Sequence, residues 1–252
     1  MNLFFFWSQG KAKLPNWAKI NLKLWQKLNP DYKVTVLDSL DLDKLFKEIY
    51  SIKDLSIQSQ SDILRFFLLS KEPGAWCDIT LIPSVPLENF IEQLDNKELF
   101  MFSRPTNDRL LSSWFIYSKN MKVITKVYNH VINYHSVKRS FIDESKKLLF
   151  RDISESSNFL ISQKDKMPYF WLHYLLNYLF INDNYLKKAL KGIDYISAIP
   201  PHHLQHYLKS TEYTKLDNSN ILKIYKENAL NKLDWRIEED KINLLFDVIL
   251  ND

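Results

Sequence analysis

The stretch Leu3-Phe4-Phe5-Phe6-Trp7-Ser8-Gln9-Gly10 decides the fold class. Its apolar run is short, aromatic and unbroken, and it stops at turn-forming residues. That is the pattern of a strand covered on both faces. Working outward, Trp17, Ile20, Leu24 and Leu28 recur at helical spacing, with Lys19, Lys23 and Lys27 on the opposite side. Asn29-Pro30 ends that helix, and Lys33–Leu37 alternates as a second strand. Asp38, Ser39 and Asp41 then offer N-caps for a helix through Tyr50. Strand, helix, strand, helix in this order predicts an α/β fold built on a mostly parallel sheet.

The pattern continues with a helix from about Gln58 to Ser70, broken by Pro73-Gly74. Ala75–Ile82 reads as one strand ended by Pro83, and Glu98–Ser103 and Ser113–Ser118 as two more. Arg104-Pro105-Thr106-Asn107-Asp108 between them reads as a loop. A long amphipathic helix follows from about Lys119 to His135. Past residue 140 helices dominate, notably Tyr169–Phe180 and Glu238–Leu250, with a short strand at Tyr195–Ala198 before Pro200-Pro201-His202-His203. The lysines of residues 209–232 read as a solvated helix face. The expected organisation is an α/β core over residues 1–140 and a mainly helical part over 141–252 that completes the site.

Composition bounds the function. Hydrophobic residues make up 46% of the 252, enough for a sizeable core, and the net charge of +4 is spread along the chain. A mild excess of this kind suits anionic nucleotides or an anionic membrane surface. It lacks the dense basic stripe of a nucleic-acid binder, so no nucleic-acid partner is expected. The single cysteine, Cys77, excludes an internal disulfide framework and a cysteine-ligated zinc cluster, and fits a reducing, cytoplasmic setting. Leu3–Trp7 is too short for the apolar core of a signal peptide, and no segment is long enough to span a bilayer. Peripheral association with the inner face of a membrane remains compatible with this.

The chemistry-bearing residues lie in Ser61-Asp62-Ile63-Leu64-Arg65 and Pro73-Gly74-Ala75-Trp76-Cys77-Asp78-Ile79-Thr80. On a helix, Gln58, Asp62 and Arg65 share a face. Asp78 falls in a strand-like segment near the carboxyl edge of the sheet, where ligands bind in open α/β folds. A sugar nucleotide needs countercharge for its diphosphate, carboxylate acceptors for its hydroxyls, and an aromatic face for its base. Asp78, Asp62, Arg65 and Trp7 supply those residue types. Read plainly, Asp62 and Arg65 are also a simple i,i+3 ion pair, Trp7 a core residue, and His173 a satisfied histidine in an aromatic helix.

Taken together, the aromatic strand, Ser-Asp-x-x-Arg and Gly-x-Trp-x-Asp resemble the capsular polysaccharide synthesis proteins. Those are grouped with the sugar-binding-region glycosyltransferases that carry an Asp-x-Asp motif. The likeness is best over residues 3–90 and continues loosely through Ser113-Trp114-Phe115-Ile116, Tyr169-Phe170-Trp171-Leu172-His173 and Pro201-His202.

The resemblance implies a GT-A fold, mononucleotide-binding and Rossmann-like, and the transfer, with retention, of a sugar from a nucleoside-diphosphate sugar, UDP-linked by preference. The acceptor would be a saccharide or lipid-linked hydroxyl, in surface polysaccharide synthesis. Trp7, Gln9, Gln58, Trp76 and His173 would face the nucleotide or sugar, Asp62 and Arg65 would orient ribose and donor sugar, and Asp62, Arg65 and Asp78 would carry catalysis. Asp78 and Thr80 stand at the two ends of the Asp-x-Asp motif, and with His202 (or its neighbour His203) they would hold a divalent metal, manganese or magnesium. Two positions depart from the family pattern. Pro73-Gly74 replaces Gly-Gly, and Thr80 replaces the second carboxylate, which removes one anionic ligand. The second departure motivates an alternative reading, a degenerate GT-A domain that binds without transferring.

Overall fold

The computed structural model describes residues 1–47, 55–107, 109–136 and 170–252. Several expectations fall outside that set: Asp108 of the expected loop, Tyr169, and the boundary between residues 140 and 141; the helix expected through Tyr50 instead closes at Leu45, with Phe46 as its C-cap. The elements in chain order are β1 (Asn2–Phe6), α1 (Asn16–Leu28), β2 (Lys33–Leu37), α2 (Ser39–Leu45) and α3 (Ile57–Lys71). Next come β3 (Gly74–Cys77), β4 (Leu81–Pro83), α4 (Leu87–Glu92), β5 (Leu99–Thr106), β6 (Arg109–Ser118) and α5 (Met121–Ser136). The C-terminal part holds α6 (Trp171–Asn182), α7 (Asn184–Lys191), α8 (His203–Ser210), α9 (Asn218–Glu227), β7 (Leu230–Lys232) and α10 (Glu239–Leu250).

Five strands form the main sheet in the order β2-β1-β3-β6-β5. β1 pairs in parallel with both β2 and β3, whereas β6 runs antiparallel to β3 and to β5. Only β6 is reversed, so four of the five strands share one direction. The expected α/β class, a mostly parallel sheet with a helical C-terminal part, is what the chain forms.

The unbroken aromatic run of β1 follows from its place in this sheet. Alternate residues point to opposite faces, and both faces are covered. Leu3, Phe5, Ala75, Cys77, Phe100 and Phe115 join one core cluster, closed by Trp17 and Trp25 of α1 and by Ile221 and Leu245 of α9 and α10. Phe4, Trp76, Met101 and Ile116 join the other, closed by Ile63 of α3, Val127 of α5, Leu175 of α6 and Leu186 of α7. The C-terminal helices therefore cover both faces. Gly74 sits where β3 pairs with β1, and a Cβ there would come within 2.5 Å of the Asn2 carbonyl oxygen.

Capping residues set the helix starts. Asp38 accepts from the backbone N–H groups of Leu40 and Asp41, and the Asp41 carboxylate accepts from the Asp38 N–H, a reciprocal capping box. The Ser56 hydroxyl accepts from the Ser59 N–H and starts α3, which carries Asp62 and Arg65.

Local expectations needed revision where an apolar run conceals a change of direction. Ala75–Ile82 is two strands, not one: β3 belongs to the main sheet and β4 pairs with β7 in a separate two-stranded sheet. Asp78, Ile79 and Thr80 form the turn between them. Three elements clamp this turn. The Asp78 N–H donates to the Trp114 carbonyl (2.9 Å) and the Leu233 N–H to the Thr80 carbonyl (3.0 Å). The buried Asn21 amide of α1 donates to the carbonyls of Ile79 and Leu81 (2.9 Å each), and Trp25 Nε1 also donates to Leu81 (2.8 Å).

Arg104-Pro105-Thr106 ends β5 rather than forming a loop, with Arg104 at a φ of 47° where β5 is irregular. Tyr195–Ala198 contributes one parallel bridge, Ser103 to Ser197, instead of a strand. β7, inside the lysine-rich stretch read as a helix face, was not foreseen. Among the described residues no helix is long and apolar enough to cross a membrane.

Asn21→Ala removes both donors from the turn and leaves a buried carbonyl unpartnered. It should cost about 2–3 kcal/mol, and for a chain of this size lower the melting temperature by roughly 4–10 °C, read by calorimetry. An unchanged melting temperature would show that the clamp does not hold the turn.

Candidate functional site

A cavity of about 760 Å³ opens at the carboxyl edge of the parallel strands. Trp7 and Ser8 follow β1 into it, and Asp78–Thr80 follow β3. Asp62 and Arg65 reach it from α3, Ser112–Trp114 from β6, and His173 from α6. His202 and His206 arrive from the turn before α8 and from α8 itself, and Lys232 and Trp235 from β7 and the residues after it.

Arg65 organises the floor. Its guanidinium is buried and donates to the carbonyls of Ser113 (Nη1, 2.6 Å) and Ser61 (Nε, 3.4 Å). Nη2 pairs with Asp62 at 2.9 Å and lies 3.9 Å from Asp78. The cation also sits over the Trp76 ring, 5.0 Å from its centroid. With three of its donor groups anchored inside the protein, Arg65 works as a fixed positive charge that holds two carboxylates apart in a set geometry. Asp78 is held from its other side by Trp76 Nε1, which donates to Oδ1 at 3.1 Å.

Burial drives the Asp62 carboxyl up from its ordinary value of 3.8 to about 6; the neighbouring Arg65 cation opposes that shift and the Asp78 charge adds to it. His202 moves the other way. Burial and the Lys232 charge hold its imidazole down at about 4, so it is neutral at physiological pH. Its ring meets Trp114 edge-on at 5.8 Å.

The other expected residues fall as follows. Gln58 and His173 line the cavity, and His173 Nε2 lies 3.3 Å from the Ser113 hydroxyl. Trp7 is half-buried: its ring packs on the core and borders the cavity, and its indole N–H donates to the Lys13 carbonyl (3.3 Å). Trp76 is buried and forms floor rather than an open stacking face. Gln9 is exposed on the turn before Gly10, and His203 is exposed at the start of α8; neither borders the cavity.

Lys232 escaped sequence reading. Its ammonium donates to the Thr80 hydroxyl at 2.5 Å and to the Leu233 carbonyl at 2.9 Å, and lies 3.6 Å from Asp78 Oδ2. Burial lowers its pKa, and the Asp78 carboxylate counters that shift.

Asp78, Thr80 and His202 do line one cavity, but they make a poor nest for a divalent ion. Asp78 faces two cations, the Thr80 oxygen already accepts from an ammonium, and a single anionic ligand remains where hard cations call for several. Among the described residues no group of three His, Cys, Asp or Glu side chains could hold a metal.

A family model for the capsular polysaccharide synthesis protein matches residues 1–249. Curated proteins offer no match. Among solved structures, a glycosyltransferase involved in the glycosylation of the major capsid of PBCV-1 is 11% identical, with a TM-score of 0.46 over 96% of this chain and 98% of its own. The UDP-bound glycosyltransferase domain from the YGT toxin is 10% identical, with a TM-score of 0.45 over 99% and 98%. The PaToxG glycosyltransferase is 15% identical, with a TM-score of 0.42 over 99% and 86%.

Because the fold holds the Asp62 proton to about pH 6, raising the pH ionises the unfolded chain first. This group's contribution to stability is complete below about pH 4 and is lost by about pH 6. Stability relative to Asp62→Asn, from urea denaturation across that window, should fall as pH rises by on the order of 2 kcal/mol. A difference independent of pH would contradict the shift.

Proposed function

Since the chain belongs to the capsular polysaccharide synthesis protein family, we propose that it is a glycosyltransferase using a nucleoside-diphosphate sugar, preferably UDP-linked. One observation carries this reading. Asp62, Arg65 and Asp78, separated in sequence, converge on one cavity at the carboxyl edge of the parallel strands, the end at which nucleotides bind in such sheets.

In the proposed reaction the bond between the sugar C1 and the diphosphate oxygen breaks, and the diphosphate leaves with the electron pair. A new bond forms from C1 to an acceptor hydroxyl, whose proton passes to the departing diphosphate. Following the family resemblance, we take the transfer to retain configuration. Asp62 and Asp78 present acceptor oxygens to donor hydroxyls. Arg65, fixed by the Ser61 and Ser113 carbonyls, keeps those carboxylates aimed and adds positive potential beneath the departing diphosphate. Trp7 and His173 offer ring surface to the base and sugar. The acceptor is a saccharide or lipid-linked hydroxyl, entering past the exposed Trp235 and Ile199, and the residues after 140 complete both subsites.

A sugar-nucleotide panel tests the reading through release of free nucleoside diphosphate. The wild type should release it from at least one UDP-sugar. Asp78→Asn should slow that release by about 10²–10³-fold, the range seen when a polar group aimed at the reacting centre is removed. Undiminished release in the variant would refute the assignment of Asp78. Thr80 favours a second reading, binding without transfer, and nucleotide binding with no release from any donor would select it.

A further inference from the structure

The cation that meets both ends of the Asp-x-Thr motif comes from the chain itself. Lys232 lies far from Asp-Ile-Thr in sequence, 152 positions after Thr80; in space its Nζ contacts Thr80 Oγ1 at 2.5 Å and stands 3.6 Å from Asp78 Oδ2. β7 puts it there, because Lys232 is the register partner of Leu81, the residue after Thr80. The contact is built rather than incidental. The Leu233 N–H donates to the Thr80 carbonyl, and the Leu233 carbonyl in turn accepts from the Lys232 ammonium. Lys232 lines the cavity, and its side chain is 14% exposed.

We propose that Lys232 supplies the positive charge at the diphosphate subsite, so that this chain binds a nucleoside diphosphate without a divalent metal. The inference rests on the nucleotide-sugar reading above and adds to it the identity of the phosphate-binding cation.

Charge balance supports it. Two motif carboxylates around a divalent ion sum to zero, and so do one carboxylate and one ammonium. Replacing a carboxylate by Thr80 therefore matches replacing a divalent ion by a monovalent one, and the hydroxyl makes a hydrogen-bond acceptor suited to an ammonium donor. A divalent ion placed between Asp78 and Thr80 would lie against Lys232 Nζ, which would repel it. An incoming diphosphate brings acceptor oxygens to which the ammonium can turn a proton, while Asp78 holds its orientation.

The test is titration calorimetry of the whole chain with UDP as probe, once in EDTA and once in millimolar manganese. A parallel measurement of manganese binding by electron paramagnetic resonance is made without UDP. The proposal expects equal UDP affinity in the two buffers and no manganese bound by the free protein. It expects Lys232→Met to weaken UDP in EDTA by at least about 10-fold, the loss of one charge-assisted contact. Lys232→Arg, which keeps the charge, should recover most of that loss, and this separates the charge from a folding defect. In Thr80→Asp combined with Lys232→Ala, UDP binding should become manganese-dependent.

Wild-type binding that requires manganese overturns the proposal and leaves the donor reading standing, as does Lys232→Met binding UDP in EDTA as tightly as wild type. Absence of UDP binding in both buffers overturns the donor reading and this proposal with it.

Discussion

The site depends on a single change of direction. After Cys77 the chain leaves the main sheet, turns through Asp78-Ile79-Thr80, and enters a second small sheet at Leu81. Three separate parts of the molecule hold the backbone of the turn: β6 through Trp114, α1 through Asn21 and Trp25, and the residue after β7, Leu233. A turn tied at three points leaves its side chains little freedom. Asp78 and Thr80 are therefore delivered to the cavity by the fold and do not have to be ordered by a ligand.

Arg65 extends the same logic to electrostatics. A guanidinium with its donors committed to carbonyls and to Asp62 cannot swing out to meet a substrate. Its effect on the cavity is a constant field, and the groups that respond are those around it. The Asp62 carboxyl shows the balance of forces: burial raises its pKa even with a cation at 2.9 Å, because desolvating a carboxylate costs more than one pairing restores.

Legibility in the sequence followed the range of the forces involved. β1 could be read because a strand buried on both faces needs an unbroken apolar run, and the end of α3 because Pro73-Gly74 breaks a helix locally. The convergence of Asp62, Arg65 and Asp78 was legible from helical spacing together with strand ends. The break at Asp78 was hidden, since Ile79, Leu81 and Ile82 continue the apolar character of β3 although they serve another sheet. β7 was hidden more thoroughly. It has three residues in a lysine-rich neighbourhood, and its only reason to be a strand is β4, far away in sequence. Lys232 went unseen for that reason, and no local signal would have singled it out from the lysines before it. Gln9 shows the converse: its proximity in sequence to Trp7 does not bring it to the cavity, because the turn before Gly10 directs it into solvent.

The pairing of Leu81 with Lys232 has a further consequence for how the protein comes into being. The two facing walls of the cavity come from segments far apart in the chain; the Thr80–Lys232 contact spans 152 positions. Closing so distant a contact is entropically slow, so the sheet and its first layer of helices can form well before the pocket does. A nascent chain would thus remain chemically silent until β7 has been made and has found β4.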